Sequence, residues 1–204
     1  MPMLLLIRHG ENNYVKTGRL AGRLSGVHLN QRGHQQAQEL AERLKDAPIK
    51  AIYCSPLERA IETAEPLADK LALPIKVRHG LIETDYGEWQ DQKVKGLSRL
   101  KLWKVVQHSP ARMRFPGGES FADAQRRICS ELDEICSLHD NKDMVACISH
   151  ADPIKLAVAF YVGLPLDLFQ RLTVSTASVT ALQLDENGSR LLVLNYQSSL
   201  NFPV

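Results

Sequence analysis

The sequence predicts an α/β protein, a three-layer α/β/α sandwich with a mainly parallel central sheet and a C-terminal antiparallel hairpin. First, short apolar runs alternate with helical patterns as far as Phe160, which is typical of parallel strands joined by helices. Second, two strand patterns follow each other after Leu172, and the turn-forming stretch 185–188 separates them. Third, 204 residues suffice for one full core and are few for two, so we expect a single domain over 1–204.

The individual elements can be placed from apolar spacing and capping residues. Apolar runs predict strands before the hairpin at 3–7, 51–53, 74–77 and 144–148. Asn30 and Ser120 each precede a helical pattern, and their side chains can accept hydrogen bonds from first-turn N–H groups. Asp152 or a neighbour is expected to cap the helix that runs through Phe160.

The composition limits the classes of partner and the cellular location. A formal net charge of +2 gives no reason to expect a nucleic-acid or membrane partner, so any basic site must be local. The chain shows no leader pattern, and no apolar run approaches the roughly 20 residues that span a bilayer. A cytoplasmic location is therefore the default expectation. The cysteines form no CxxC pair and are predicted to be buried reduced thiols, at Cys54, Cys129, Cys136 and Cys147.

The segment after the second strand predicts a well-defined helix start. Ser55 followed by Glu58 has the spacing of a capping box, with Pro56 at the first helical position. Arg59 then falls in the first turn, where the helix dipole disfavours a cation. An anion bound at the helix N-terminus would explain it, but a surface arginine paired with Glu58 or Glu62 explains it equally well.

The stretch 83–89 offers a candidate general acid. It mixes carboxylates with aromatic residues, and a carboxyl group beside apolar groups can have its pKa raised toward neutrality. Glu83 is our candidate within it.

The stretch 92–115 is strongly basic. Its seven basic residues and absence of acidic ones are typical of a solvated helix face, but an electropositive flap that attracts an anionic substrate would show the same pattern. We expect a flap over the site here. The residues concerned are Lys93, Lys95, Arg99, Lys101, Lys104, Arg112 and Arg114.

Cationic or titratable side chains follow three of the predicted strands. They are Arg8 and His9 after the first strand, Arg59 after the second, and His150 after the strand at 144–148. Carboxyl ends of parallel strands share one edge of a sheet, so we expect the four side chains to converge. Such a cluster repels itself without an anion, and arginine matches phosphate oxygens well. Phosphate is thus the predicted ligand, and a metal ion fits poorly.

The chain resembles the histidine phosphatase superfamily, also called phosphoglycerate-mutase-like. The resemblance spans most of the chain and rests on motifs that follow one another in the family's order. These are Leu-Ile-Arg-His-Gly-Glu at 6–11, Ser-Pro-Leu-Glu-Arg-Ala at 55–60 with Thr63, Glu83 with Gly87 and Trp89, Gly-Glu-Ser at 118–120, and Ser-His at 149–150.

The resemblance implies a mechanism and a role for each residue. His9 would attack a phosphomonoester to form a phosphohistidine that water then hydrolyses. Arg8, Arg59 and His150 would hold the phosphoryl oxygens, and Glu83 would protonate the leaving alcohol and then activate water. No metal or organic cofactor would be needed.

Some positions depart from the family pattern and leave the substrate pocket open. Asn12 stands where the family often has Thr or Ser, Val15 where an asparagine touches phosphate, and Ala151 where a glycine is common. Asn12 and Ala151 are included among the expected substrate-binding residues. The acid segment 83–89 looks more like the phosphatases than the mutases, which favours hydrolysis of a small phosphorylated metabolite. A phosphomutase and a catalytically weak phosphate-binding protein are the alternatives, and a homodimer is left open.

Overall fold

The computed structural model describes residues 2–185 and 188–197 and has one central sheet. Its strand order is β3-β2-β4-β1-β5-β6. The first four strands of the chain run parallel to one another, and β5 pairs antiparallel with both β1 and β6. The strands are β1 (Met3–Arg8), β2 (Ile49–Cys54), β3 (Ile75–Val77), β4 (Met144–Ser149), β5 (Val179–Asp185) and β6 (Gly188–Tyr196). The predicted fold class is confirmed, including the C-terminal hairpin; residues 186 and 187 of its predicted turn lie outside the described residues.

The helices connect the strands and cover the sheet. They are α1 (Asn13–Lys16), α2 (Gln31–Leu44), α3 (Glu58–Leu71), α4 (Val94–Leu97), α5 (Lys101–His108), α6 (Phe121–Ser137) and α7 (Ala151–Tyr161), with 3-10 turns at His79–Leu81, Gly87–Trp89, Pro110–Arg112 and Leu166–Arg171. Within the described ranges, every helix is too short or too polar to cross a membrane.

The first strand shows how the three layers form. Leu4 and Leu6 face a core shared with α6 and α7, whereas Leu5 and Ile7 face a core shared with α2 and α3. Because both faces of the strand are covered, its sequence is apolar throughout instead of alternating. This burial fixes the direction of β1 and therefore the place where Arg8 and His9 emerge.

Two of the predicted helix caps are confirmed. The Asn30 side chain accepts a hydrogen bond from the Gly33 N–H at 2.9 Å, and Ser120 Oγ accepts one from the Asp123 N–H at 3.1 Å. Both bonds satisfy first-turn donors that have no partner within the helix. The sequence therefore located the starts of α2 and α6 correctly.

The predicted capping box at the start of α3 is wrong. The helix begins at Glu58, its N-cap is Leu57 without a side-chain bond, and Pro56 lies outside it. Ser55 Oγ lies 2.7 Å from the His150 ring, and the Glu58 carboxylate accepts the Gly26 N–H at 2.9 Å. Both side chains thus have partners from distant parts of the chain, which capping rules do not consider.

Asp152 does not cap α7 either. His150 is the N-cap residue and makes no side-chain cap bond, while Asp152 lies in the first turn of the helix. Its carboxylate accepts a hydrogen bond from the Tyr86 hydroxyl at 2.9 Å and pairs with Lys155 at 2.7 Å. Asp152 is therefore held toward the segment that contains Glu83.

The cysteines are free and buried, as predicted: Cys54, Cys129, Cys136 and Cys147. Burial raises the pKa of the Cys129 and Cys136 thiols to about 12. A thiol with so high a pKa is protonated near neutral pH and is a poor nucleophile. These cysteines act as small core residues.

Gly33 allows the loop after β1 to lie directly on the first turn of α2. A Cβ atom at Gly33 would lie 2.0 Å from the Glu11 carbonyl oxygen, whereas one at Gly96 in α4 would meet no atom within 4 Å. We expect Gly33→Ala to lower the free energy of unfolding by about 1–3 kcal/mol through overpacking, and Gly96→Ala to leave it equal or raise it. Urea denaturation measures both, and equal effects would contradict the close approach.

Candidate active site

The four side chains predicted to converge lie at one edge of the sheet. β2, β4 and β1 are adjacent and parallel, so their carboxyl ends are neighbours. Arg8 ends β1, His9 follows it, and His150 follows β4. Arg59 is the second residue of α3, the helix that follows β2. The rings of His9 and His150 have their centroids 5.1 Å apart.

Arg59 lies between the two histidines. Its Nε donates to His9 Nε2 and its Nη2 lies against His150 Nδ1, both at 3.3 Å. Nη2 also donates to the Gly22 carbonyl at 2.8 Å, and the residue is only 1% exposed. The interpretation of Arg59 as a surface arginine paired with Glu58 or Glu62 is therefore wrong.

The hydrogen bonds define which nitrogen of each histidine carries the proton. His9 Nδ1 is 2.7 Å from the Gly10 carbonyl oxygen, which can only accept, so the proton is on Nδ1 and Nε2 carries the lone pair that accepts from Arg59 Nε. A guanidinium can only donate, so His150 Nδ1 accepts from Arg59 and the His150 proton is on Nε2, toward Ser55. Each imidazole is therefore neutral in this arrangement.

Electrostatics favour the same neutral state. Burial, followed by the positive charges of Arg59 and Arg8, holds the pKa of His9 well below its usual value. Burial and the charge of Arg59 also lower the pKa of His150. A neutral imidazole is a nucleophile near pH 7 through its unprotonated nitrogen, which in His9 is Nε2.

Buried donors without hydrogen-bond partners lie in the same cleft as His9. They are Arg8 Nε, Arg59 Nη1 and Asn12 Nδ2, none of which has a hydrogen-bond partner among the described residues. Arg8 and Asn12 are held by their other atoms: Arg8 Nη1 donates to the Val174 carbonyl at 2.7 Å, and Asn12 Oδ1 caps α1. Unsatisfied buried donors are costly and rare, and all three residues line one cleft. An anion with several acceptor oxygens would satisfy them together.

Ala151 and Glu83 line the same cleft. Ala151 is the first residue of α7, where the helix N-terminus offers N–H donors to an anion. Glu83 is 7% exposed, and burial together with the negative charge of Asp152 raises the pKa of its carboxyl group to about 7. Arg59 and Arg8 offset part of this shift. Glu83 can therefore either give or take a proton near neutral pH.

Three residues that the sequence analysis did not select hold Glu83 in place. Arg127 donates to the Ile82 carbonyl at 2.8 Å, and Arg23 donates to the Glu83 carbonyl at 2.9 Å. Glu119 accepts from both arginines, at 3.0 Å from Arg23 and 2.7 Å from Arg127. In the sequence, only the Gly-Glu-Ser motif points to Glu119 as a functional residue. No local sequence pattern identifies the two arginines, because their partners are distant in sequence.

The basic stretch 92–115 contributes one wall of the cleft through uncharged residues. The cleft has a volume of about 250 Å3, and α5 lines it with Trp103, Val106 and Gln107. All seven basic side chains of the stretch are exposed, and none lines the cleft. This arrangement favours a solvated face for the charges, while closure of the segment over the site stays a prediction.

Fold and site together define an α/β protein with a histidine pair and two arginines at the carboxyl edge of its sheet. Residues 4–197 match the family model of the histidine phosphatase superfamily (branch 1). The chain belongs to this superfamily, as its motifs indicated.

Relatives within the superfamily carry different names. Phosphoserine phosphatase 1 of Hydrogenobacter thermophilus is 30% identical over 200 residues, which cover 96% of this chain and 92% of the relative. The probable phosphoglycerate mutase GpmB of Erwinia tasmaniensis is 29% identical over 182 residues, covering 88% and 84%. The solved structure of YhfR from Bacillus stearothermophilus superposes with a TM-score of 0.90 at 26% identity, covering 97% of this chain and 98% of that one.

Proposed function

We propose that the protein is a metal-independent phosphomonoesterase that works through a phosphohistidine on His9. The observation that carries this proposal is the neutral His9 ring in a cleft that also holds three buried donors without partners. A phosphoryl group supplies acceptor oxygens for those donors and an electrophile for the lone pair. Arg8 and Arg59 supply the positive charge that stabilises the transition state.

In the first step, His9 Nε2 attacks phosphorus and the bond from phosphorus to the ester oxygen breaks. The leaving oxygen takes the proton from the Glu83 carboxyl group and departs as an alcohol. Arg8, Arg59 and Asn12 donate to the phosphoryl oxygens, and the helix N-terminus at Ala151 lies beside them. The negative phosphoryl group also favours a proton on His150 Nδ1, which lets that ring donate as well.

In the second step, the Glu83 carboxylate takes a proton from water and the resulting hydroxide attacks phosphorus. The bond from phosphorus to His9 Nε2 breaks, inorganic phosphate forms, and both residues return to their starting protonation states. A pKa of about 7 suits Glu83 to both roles, because each form is well populated near neutral pH.

Phosphate release distinguishes this proposal from a mutase and from a simple binding protein. We expect the purified protein, assayed with chelator present, to release inorganic phosphate from phosphomonoesters without a bisphosphate primer. Transfer of phosphate between hydroxyls of one sugar acid, with dependence on such a primer, would favour the mutase. Binding of phosphate without turnover would favour the binding protein.

Arg59 provides a quantitative test of the transition-state role. We expect Arg59→Ala to lower kcat/KM by roughly 100- to 1000-fold, because it removes a preorganised donor and a positive charge at the phosphoryl group. Arg32→Ala, at an exposed arginine on α2, is the matched control and should retain full activity. Steady-state kinetics on one phosphomonoester measures both variants. A loss below about threefold at Arg59 would show that it does not stabilise the transition state.

A further inference from the structure

The part of the cleft beyond the phosphoryl-binding residues is an aromatic surface. Trp103 stacks on Trp89 with ring centroids 6.0 Å apart and an interplanar angle of 22°. Trp89 contacts Phe115 edge-on at 5.4 Å, and Phe115 contacts Tyr86 edge-on at 5.0 Å. All four rings line the cleft, so they form a continuous wall, which we call the aromatic wall.

Few charges on this side of the cleft are free to bind a charged substrate group. Among the described residues that line this part, Arg19 is the only cation, and it is already paired with the Asp91 carboxylate at 2.7 Å. Its Nε and Nη2 also donate to the Asp91 carbonyl, at 3.1 and 2.7 Å. The Asp91 carboxylate thus offsets the positive charge of Arg19, and the contacts with Asp91 use Nε and Nη2 of the arginine.

Other polar groups at this end are paired with one another. Gln170 accepts a hydrogen bond from Lys155 at 2.8 Å, and Lys155 pairs with Asp152. Asp152 in turn accepts from the Tyr86 hydroxyl. This side thus combines an aromatic surface with charged groups that are already paired.

We propose that the leaving-group side of the cleft selects phosphomonoesters of flat, uncharged, apolar alcohols, in particular arylalkyl alcohols, over those of amino acids and sugar acids. This inference rests on the proposed phosphatase function, since it assigns the alcohol of that reaction. The aromatic wall buries the ring of such an alcohol and can stack on it. One relative is named a phosphoserine phosphatase, and the alcohol released from phosphoserine carries a carboxylate. Among the described residues, the aromatic wall offers no unpaired cation to bind such a carboxylate.

Matched esters isolate the contribution of the wall. Benzyl phosphate and ethyl phosphate both release poor alcohol leaving groups and differ chiefly by one ring. We expect kcat/KM to be about tenfold or more higher for benzyl phosphate. We also expect benzyl phosphate to exceed O-phosphoserine and 3-phosphoglycerate. A higher kcat/KM for either acid than for benzyl phosphate would overturn the proposal and leave the phosphatase function intact.

Trp103 is the residue to change, because it is half-buried on α5 and its side chain reaches the cleft. We expect Trp103→Ala to lower the benzyl-to-ethyl ratio by about tenfold, since it removes a stacking partner and apolar area. Trp103→Leu, which keeps apolar bulk, should have a smaller effect and guards against misfolding. Lys104→Ala, at an exposed neighbour outside the cleft, is the control and should leave the ratio unchanged. An unchanged ratio in both Trp103 variants would overturn the proposal.

Binding measurements separate failure of this proposal from failure of the proposed function. Benzylphosphonate and ethylphosphonate cannot be hydrolysed, so calorimetric titration reports affinity without turnover. Tighter binding of benzylphosphonate that depends on Trp103 supports the aromatic wall even if no ester is hydrolysed. Equal affinities for the two phosphonates, with esters still hydrolysed, would refute the wall while the phosphatase function stands.

Discussion

The His9→Ala variant should lose phosphomonoesterase activity by at least about 1000-fold and form no phosphoenzyme. The variant removes Nε2, the unprotonated nitrogen of His9, which lies 3.3 Å from Arg59 Nε. We expect His150 not to replace it, because the His150 proton is on Nε2, toward Ser55, and this ring is proposed to hold the phosphoryl oxygens. Rapid alkaline quench with a labelled phosphomonoester traps the protein-bound phosphate. Loss of that label on later acid treatment identifies it as a phosphohistidine.

Two comparisons make the His9 result interpretable. His34→Ala changes an exposed histidine on α2 and should leave both activity and phosphoenzyme unchanged. Thermal unfolding of His9→Ala shows whether the fold survives, and retained phosphate binding shows whether Arg8 and Arg59 remain in place. Full hydrolysis by a folded His9→Ala protein would eliminate the phosphohistidine mechanism.

The sequence predicted the positions of the main site residues because they depend on topology. A parallel sheet brings its carboxyl ends to one edge, so the residues that follow β1 and β4 meet there. Arg59 lies at the same edge because it is in the first turn of α3, the helix that follows β2. Alternating strand and helix patterns are thus enough to place Arg8, His9, Arg59 and His150 together, without any knowledge of side-chain contacts.

The contacts that complete the site could not be predicted in the same way. Ser55 has the local spacing of a capping residue, yet its hydroxyl lies against His150, 95 residues away in the sequence. Arg23 and Arg127 hold the backbone around Glu83 through Glu119, and no local pattern links these residues. Local rules describe what a side chain can do for its own helix, and a distant partner can override them.

The basic stretch 92–115 shows a different limit of prediction from sequence. Charge alone could not separate a solvated face from a flap that attracts substrate, and both interpretations concerned the lysines and arginines. In the structure, Trp103 and Val106 on the apolar side of α5 line the cleft, and the charged residues are exposed. The orientation of a short helix depends on which of its faces packs, so the wall of the cleft became visible only in the structure.

Glu83→Gln should abolish general-acid catalysis and so lower kcat/KM for benzyl phosphate by roughly 100- to 10000-fold. Hydrolysis of p-nitrophenyl phosphate should fall much less at this step, because its leaving group departs without a proton.

For the unaltered protein, the protonated Glu83 carboxyl is the active form in the first step. With a pKa of about 7, kcat/KM for benzyl phosphate relative to p-nitrophenyl phosphate should decline as the pH rises through about 7.

The ratio of the two substrates matters because each carries a phosphate group that titrates in a similar range. Dividing one pH profile by the other cancels the shared titration and leaves the requirement for the leaving-group proton. A ratio that stays constant from pH 5 to 9, or equal losses on both substrates in Glu83→Gln, would assign the proton donation to another group.

The same pKa shift predicts an effect on stability that needs no substrate. The pKa of Glu83 is raised from 4.5 to about 7 in the folded protein, so the unfolded chain loses this proton first as the pH rises. Folding stability from this group therefore falls between about pH 4.5 and pH 7, by about 3 kcal/mol in total. Glu83→Gln removes the cost of a buried carboxylate and keeps an acceptor for the Thr84 N–H. The free energy of unfolding of this variant should therefore exceed that of the unaltered protein at pH 8 and match it near pH 4. Urea denaturation at the two pH values tests this; an equal difference at both would mean that Glu83 titrates normally, and the proposed acid would then lack its tuned pKa.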